Sequence, residues 1–234
     1  MTIPQSISLS LSDAEQILTT AKESHWIVNY EEEKHQLVLE RENEWLAKMY
    51  LPWTYEWDEK KGLDVRHETH FSLALIRAGQ AAVGYFHQGQ LVDHRVFRAY
   101  MVRQKQGKSQ IKHLKTKGKS RAGSRIRLAE TARFFEEINE RLQTYSAQYP
   151  MDFWGISCAK TMWPYFFDSE VSPPFSSKDD HLVELPFHIA QASFEELEKA
   201  GKLLSHFHLI LSDKGREAIN LTSKKIENTD SEDW

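Results

Sequence analysis

A chain of 234 residues with 40% hydrophobic and 12% aromatic content can bury a core as one large domain or two small ones, which excludes a disordered polypeptide. Its 30 Lys and Arg against 34 Asp and Glu give a formal net charge of -4, but 12 of the basic residues fall between Arg95 and Arg127, where there is no acidic residue. The single cysteine, Cys158, excludes an intrachain disulfide and a zinc site of paired thiolates, and no apolar run reaches the roughly 18 residues of a membrane span.

In chain order, Ser12-Asp13-Ala14-Glu15 has the form of a capping box, in which a serine oxygen and a glutamate satisfy each other's backbone donors. It predicts a helix with Ala14, Ile17, Leu18 and Ala21 on one face. Trp26–Tyr30 and Gln36–Leu39 are predicted strands around the acidic turn Glu31-Glu32-Glu33. The aromatic stretch LAKMYLPWTYEWDEKKGL has acidic neighbours (Glu42, Glu44, Glu56, Asp58). A base-stacking platform needs positive charge beside its rings, so these rings are expected in the core.

From Phe71 the apolar period shortens to two. Phe71–Ile76, Ala81–His87 and Leu91–Val102 are predicted strands of an antiparallel meander, with turns at Ala78-Gly79-Gln80 and Gly89. Gln104–Gly123 is polar, basic and free of any apolar period, which predicts a long mobile loop; loops of that length in compact domains are functional or disordered. A helix capped by Ser124 follows, with Leu128, Ala132, Phe135, Ile138, Leu142, Tyr145 and Tyr149 at three- and four-residue steps before Pro150. Asp152–Ala159 is a buried strand, Thr161–Asp168 a short helix or turn, Ser172–Asp180 a loop, and His181–Ile189 a strand. Ser193 caps a helix over SFEELEKAGKLL, His206–Leu211 is the last strand, and a polar tail begins near Asp213. The alternation in this half argues an α/β layer.

Few side chains offer chemistry. His67 and His70 lack the one-turn helical spacing of a ligand pair, and His188, His206 and His208 are expected to be structural. Cys158 sits in an apolar strand, where a thiol behaves as a small hydrophobe. No phosphate-binding glycine fingerprint or nucleophile elbow is present, so no metal or cofactor is expected. The basic stretch is what remains: an acidic body, with 18 basic residues left against all 34 acidic ones, holds out one cationic arm suited to a polyanion.

The order of strand meander, VRQKQGKSQ, basic linker and AGSRIRLAETARFFEEI resembles the central domain of eukaryotic-type class-1 peptide release factors. It resembles more closely the release-factor-like domain of the ribosome-quality-control peptidyl-tRNA hydrolases. The resemblance is specific over about Phe71–Tyr149, including HRVFRAYMVRQKQG, and rests mainly on element order from Asp152 to Asp213. It implies an α/β fold: a mixed sheet with an antiparallel meander, a long basic loop and a long helix. Residues 1–66 are expected as an acidic helix/strand segment packed on a catalytic domain of residues 67–212, with 213–234 a tail. Without the zinc finger and ankyrin repeats of eukaryotic members, a minimal, bacterial-type, cytoplasmic and monomeric form is expected.

Where the family carries Gly-Gly-Ser-Gln, this chain has Gly107-Lys108-Ser109-Gln110. The resemblance implies that these residues enter the large ribosomal subunit and hydrolyse the ester of peptidyl-tRNA. Glutamine cannot serve as a general base near neutral pH. Gln110 would orient a water and offer its backbone N–H to the developing oxyanion, with Gly107 giving the tight backbone path. Arg98, Arg103, Lys105, Lys108, Lys112, Lys115, Lys117, Lys119, Arg121, Arg125 and Arg127 would pair with rRNA and tRNA phosphates. Two departures stand out: Lys108 replaces a glycine, at a cost of about 1–2 kcal/mol should that position need positive φ, and Ile111–Ala122 separates Gln110 from the helix. Cleavage of the tRNA near its 3′ end, or ribosome binding without chemistry, stays open beside ester hydrolysis. A stop-codon-reading domain is not apparent.

Overall fold

The computed structural model describes residues 1–99 and 119–219, and of 119–128 the backbone alone. Ile7–Leu9 forms a short strand, β1, and the chain turns at Ser10 into α1 (Leu11–Glu23). The Ser10 hydroxyl accepts the Asp13 N–H at 3.2 Å while the Asp13 carboxylate accepts the Ser10 N–H at 3.1 Å. The capping box is thus Ser10–Asp13 and not Ser12–Glu15. Pairing of β1 holds the chain extended through Leu9, so Ser10 is the first residue free to cap. Ala14, Ile17 and Ala21 are buried, as the period predicts.

β2 (Ile27–Glu31) and β3 (Gln36–Arg41) flank a 3₁₀ turn at Glu32–Lys34, and β4 (Glu44–Tyr50) returns antiparallel to β3. Glu42 and Asn43 both have positive φ (54° and 64°), the backbone of the two-residue turn whose twist suits a hairpin. The aromatic stretch continues as a small hairpin, β5 (Tyr55–Asp58) and β6 (Gly62–Val65). Its turn is held by the Asp58 carboxylate, which accepts the N–H groups of Lys60 and Lys61, each at 2.8 Å. Trp53 is 2% exposed, and Tyr55 and Trp57 pack on the first core; these rings serve packing.

β7 (His70–Arg77), β8 (Gln80–His87) and β9 (Gln90–Arg98) form the expected antiparallel meander. The long helix α2 spans Lys119–Gln148. It therefore includes Ser124 in its interior instead of beginning there, and residues 119–123, expected in the loop, are helical. A single Gly123 costs about 1 kcal/mol in a helix, which a run of 30 residues absorbs. β10 (Phe153–Ser157) lies parallel to β7, a 3₁₀ turn leads into α3 (Trp163–Phe167), and β11 (Leu182–Glu184) is parallel to β10. β11 covers only part of the expected His181–Ile189 strand, because Pro186 lacks an N–H and restricts Leu185 before it. α4 (Phe194–Leu204) is capped by Ser193, whose hydroxyl accepts the Glu196 N–H at 3.3 Å. β12 (Phe207–Leu211) and α5 (Asp213–Ala218) follow, so the stretch expected as a polar tail opens with a helix.

Two five-stranded sheets result. The first has the order β1-β12-β4-β3-β2, the second β11-β10-β7-β8-β9. Period-two alternation in the second sends Ala74, Ile76, Ala81, Val83 and Tyr85 to α2, where they meet Phe134, Phe135, Ile138, Leu142 and Tyr145. Leu73, Leu75, Ala82 and Phe86 go to the other face, against Leu197, Ala200 and Leu204 of α4. Tyr50 and Ile210 of the first sheet join that second cluster, so the two sheets share a core. An α/β fold with a mixed sheet, an antiparallel meander and a long helix is what forms.

Candidate functional site

Strand direction decides where the basic stretch is held. β7 and β9 are each antiparallel to β8 and so run the same way, and β10 and β11 are parallel to β7. Four of the five strands therefore end at one edge, at Arg77, Arg98, Ser157 and Glu184. In open α/β sheets this carboxyl edge is where ligand sites form. α2 runs back across the sheet: Arg141 pairs with Asp93 early in β9, while Phe134 and Phe135 share a cluster with Phe97 near its end. Its first turns consequently lie at the same edge. Ala99 is fastened there by its N–H, which donates to the Gly79 carbonyl at 3.0 Å. The basic stretch is thus rooted at this edge through Ala99, and its other end is Lys119, the first residue of α2. Thr131 is the first α2 residue described as buried; the roughly 12 positions before it extend about 18 Å.

The same edge carries a cleft of about 920 Å³ that Arg77, Cys158, Lys160, Trp163 and His188 help to line. Arg77 donates to a ring nitrogen of His188 at 3.2 Å, and the Lys160 ammonium rests 3.4 Å from the centre of the Trp163 ring. The Trp163 indole N–H donates to the Cys158 carbonyl at 3.3 Å. Burial pushes the Cys158 thiol up to about 12 even though Arg77 and Lys160 pull the other way, so it is no nucleophile at neutral pH. Carboxylates line the β11 side of the cleft: Glu32, Glu33, Asp179, Asp180 and Glu184.

The model of one family, Bacteroidetes VLRF1 release factor, matches residues 71–212, more than half of the chain. The chain belongs to the Bacteroidetes VLRF1 release factor family. The match begins at the second residue of β7 and ends at Ser212, the cap of α5. It contains β7 from Phe71 on, β8, β9, the basic stretch, α2 and the elements from β10 to β12, while α1 and β1–β6 lie before it. No curated protein matches the sequence. Among solved structures, the "Vms1 mitochondrial localization core" is similar at a TM-score of 0.41 and 12% identity, over 88% of this chain and 84% of that one.

Of the residues predicted for the site, Gly107, Ser109, Gln110, Arg103, Lys105, Lys108, Lys112, Lys115 and Lys117 lie outside the described residues. Lys119, Arg121, Arg125 and Arg127 fall on the first turns of α2, at positions described by backbone alone. Arg98 is the last residue of β9 and is exposed. Three of the histidines have structural partners. The His70 ring bonds the Tyr85 hydroxyl at 2.7 Å, and the rings of His206 and His208 bond the Lys202 and Leu203 carbonyls at 2.7 and 3.0 Å. Among the described residues no group of three or more His, Cys, Asp or Glu side chains could hold a metal ion, and no helix is long and apolar enough to cross a membrane. Sequence reading missed the cleft. Its one available signal was Lys160, just past the end of a buried strand, where open α/β sheets place ligands.

Proposed function

We propose that the chain is a release-factor-like peptidyl-tRNA hydrolase of the cytosol that frees nascent peptide from tRNA retained on large ribosomal subunits. The observation that carries this reading is the VLRF1 match, which encloses Gly107-Lys108-Ser109-Gln110. It is supported by the position of Ala99, where the chain enters the basic stretch, at the carboxyl edge of a sheet with helices on both faces. Gln110 orients the attacking water and its backbone N–H meets the oxyanion; the proton goes to a group of the RNA, since a glutamine amide is no general base near neutral pH. The flanking cations pair with phosphates and set register without reading sequence.

The test incubates wild type and Gln110→Ala with large subunits carrying labelled peptidyl-tRNA, then separates free peptide, intact tRNA and shortened tRNA. Free peptide with intact tRNA is expected from wild type, and a loss on the order of 10²-fold or more in release rate from the variant, the size seen when one positioned transition-state donor is removed. Shortened tRNA would make the chain a nuclease. Bound subunits without either product would leave a binding module.

A further inference from the structure

Several cations on this acidic body are held by carboxylates: Arg66 by Glu56 and Asp152, Arg133 by Glu137, Arg141 by Asp93, Lys199 by Glu196. Two at the carboxyl edge are held by rings instead. Arg77 and Lys160 have no carboxylate partner among the described residues; Arg77 meets the His188 ring, and Lys160 meets the Trp163 ring face. Both line the cleft that Cys158 also lines, and both act electrostatically on its half-buried thiol. Arg98, at the end of β9 on the same edge, is exposed. β11 stands two strands from β7 in the sheet, roughly 10 Å away, and Glu184 at its end lines the cleft together with Glu32, Glu33, Asp179 and Asp180. A neutral aromatic ring beneath the ammonium orients it without cancelling its charge, and a guanidinium that spends one N–H on a ring nitrogen keeps further donors free.

We infer that Arg77 and Lys160 form a phosphate-binding subsite, separate from the Gly107–Gln110 segment, that takes the backbone of an RNA strand lying along the carboxyl edge. The inference rests on the proposed function for the identity of the polyanion. Its geometry rests on the described residues alone. The carboxylates of the β11 wall confine the strand to the β7–β10 side, because phosphate beside Glu32 and Glu33 is repelled.

The probe is a fluorescent RNA hairpin with a tRNA acceptor stem and its single-stranded 3′ end, titrated with the full chain across a salt series. Each phosphate contact contributes about 0.7 to 0.9 to the slope of log affinity against log salt. The double variant Arg77→Gln, Lys160→Gln is expected to lower the slope by about 1.4 to 1.8, as does Lys115→Gln, Lys117→Gln in the basic stretch. Glu32→Gln, Glu33→Gln is expected to tighten binding, a direction that misfolding cannot imitate. A slope lowered by the Lys115/Lys117 variant but unchanged by the Arg77/Lys160 variant overturns the subsite and leaves the proposed function standing. Binding unchanged or weakened in the Glu32/Glu33 variant also counts against it, and no wild-type binding at all overturns both. Failure of the proposed function alone reads out separately, as RNA bound with the full slope while no peptide is released from subunits.

Discussion

His35 closes the 3₁₀ turn in a left-handed conformation (φ 48°) and is 1% exposed. Its Nε2–H donates to the Pro52 carbonyl at 3.2 Å and its Nδ1 accepts the Tyr30 hydroxyl at 2.7 Å, an arrangement that uses the neutral imidazole. The ring lies 5.1 Å from that of Phe153, so it also joins the first sheet to β10. Burial, the largest cause, holds its pKa down to about 4 against the opposing pull of the Pro52 carbonyl. The folded pKa is depressed, so the associated stability is fully present above the unfolded value near 6.5 and is lost as pH falls toward 4. The loss approaches roughly 3 kcal/mol at about 1.4 kcal/mol for each unit. His35→Asn keeps a residue that tolerates the left-handed backbone; its urea midpoint is expected to fall less than that of wild type between pH 7 and pH 4. Equal falls would assign the acid sensitivity to other groups. Nothing in the local sequence signalled this site, because EEEKHQ reads as an exposed acidic turn. The burial comes from Pro52 and Phe153, which are distant in the chain.

Among the elements, α2 is the one whose packing the period disclosed best. Phe135, Ile138, Leu142 and Tyr145 are all buried against the sheet; Ala132 is exposed while Phe134 is buried in its stead, and the start was misplaced, since a polar first section carries no apolar period to follow. The helix also uses a residue that periodicity cannot interpret. Asn139 is fully buried, and its Nδ2 donates to the carbonyls of Phe166 and Val171, each at 2.8 Å. It ties α2 to α3 and to the segment after it. Asn139→Ala leaves two carbonyls without that donor, at about 1–3 kcal/mol, and a melting temperature lower by roughly 2–10 °C is expected for a chain of this size. An unchanged melting temperature would mean that the carbonyls find other donors. Strand lengths were less legible than strand existence: Pro186 cut β11 short, and β1 is too brief to show a period.

On the scale of the molecule, charge separation was visible in the sequence and the fold explains how it is presented. The strand directions bring the ends of β7, β9 and β10 and the start of α2 to one edge, which a list of elements does not contain. If about six phosphate contacts form, affinity for ribosomal RNA is expected to fall roughly a thousandfold between about 50 and 200 mM salt; filter binding of labelled large subunits over that range measures it, and a flat profile would exclude a phosphate-led interface. The cleft escaped notice because its cations lie 83 residues apart, at Arg77 and Lys160. The first sheet depends on an even longer reach, for β12 sits between β1 and β4 and pairs with both. Translation emits the amino end first, so β1 and β4 wait without their shared middle strand until Leu211 has cleared the exit tunnel. A message broken upstream of that codon would yield a product with a gap at the centre of its first sheet, leaving Leu9, Ala47 and Met49 bare for proteases and chaperones to find.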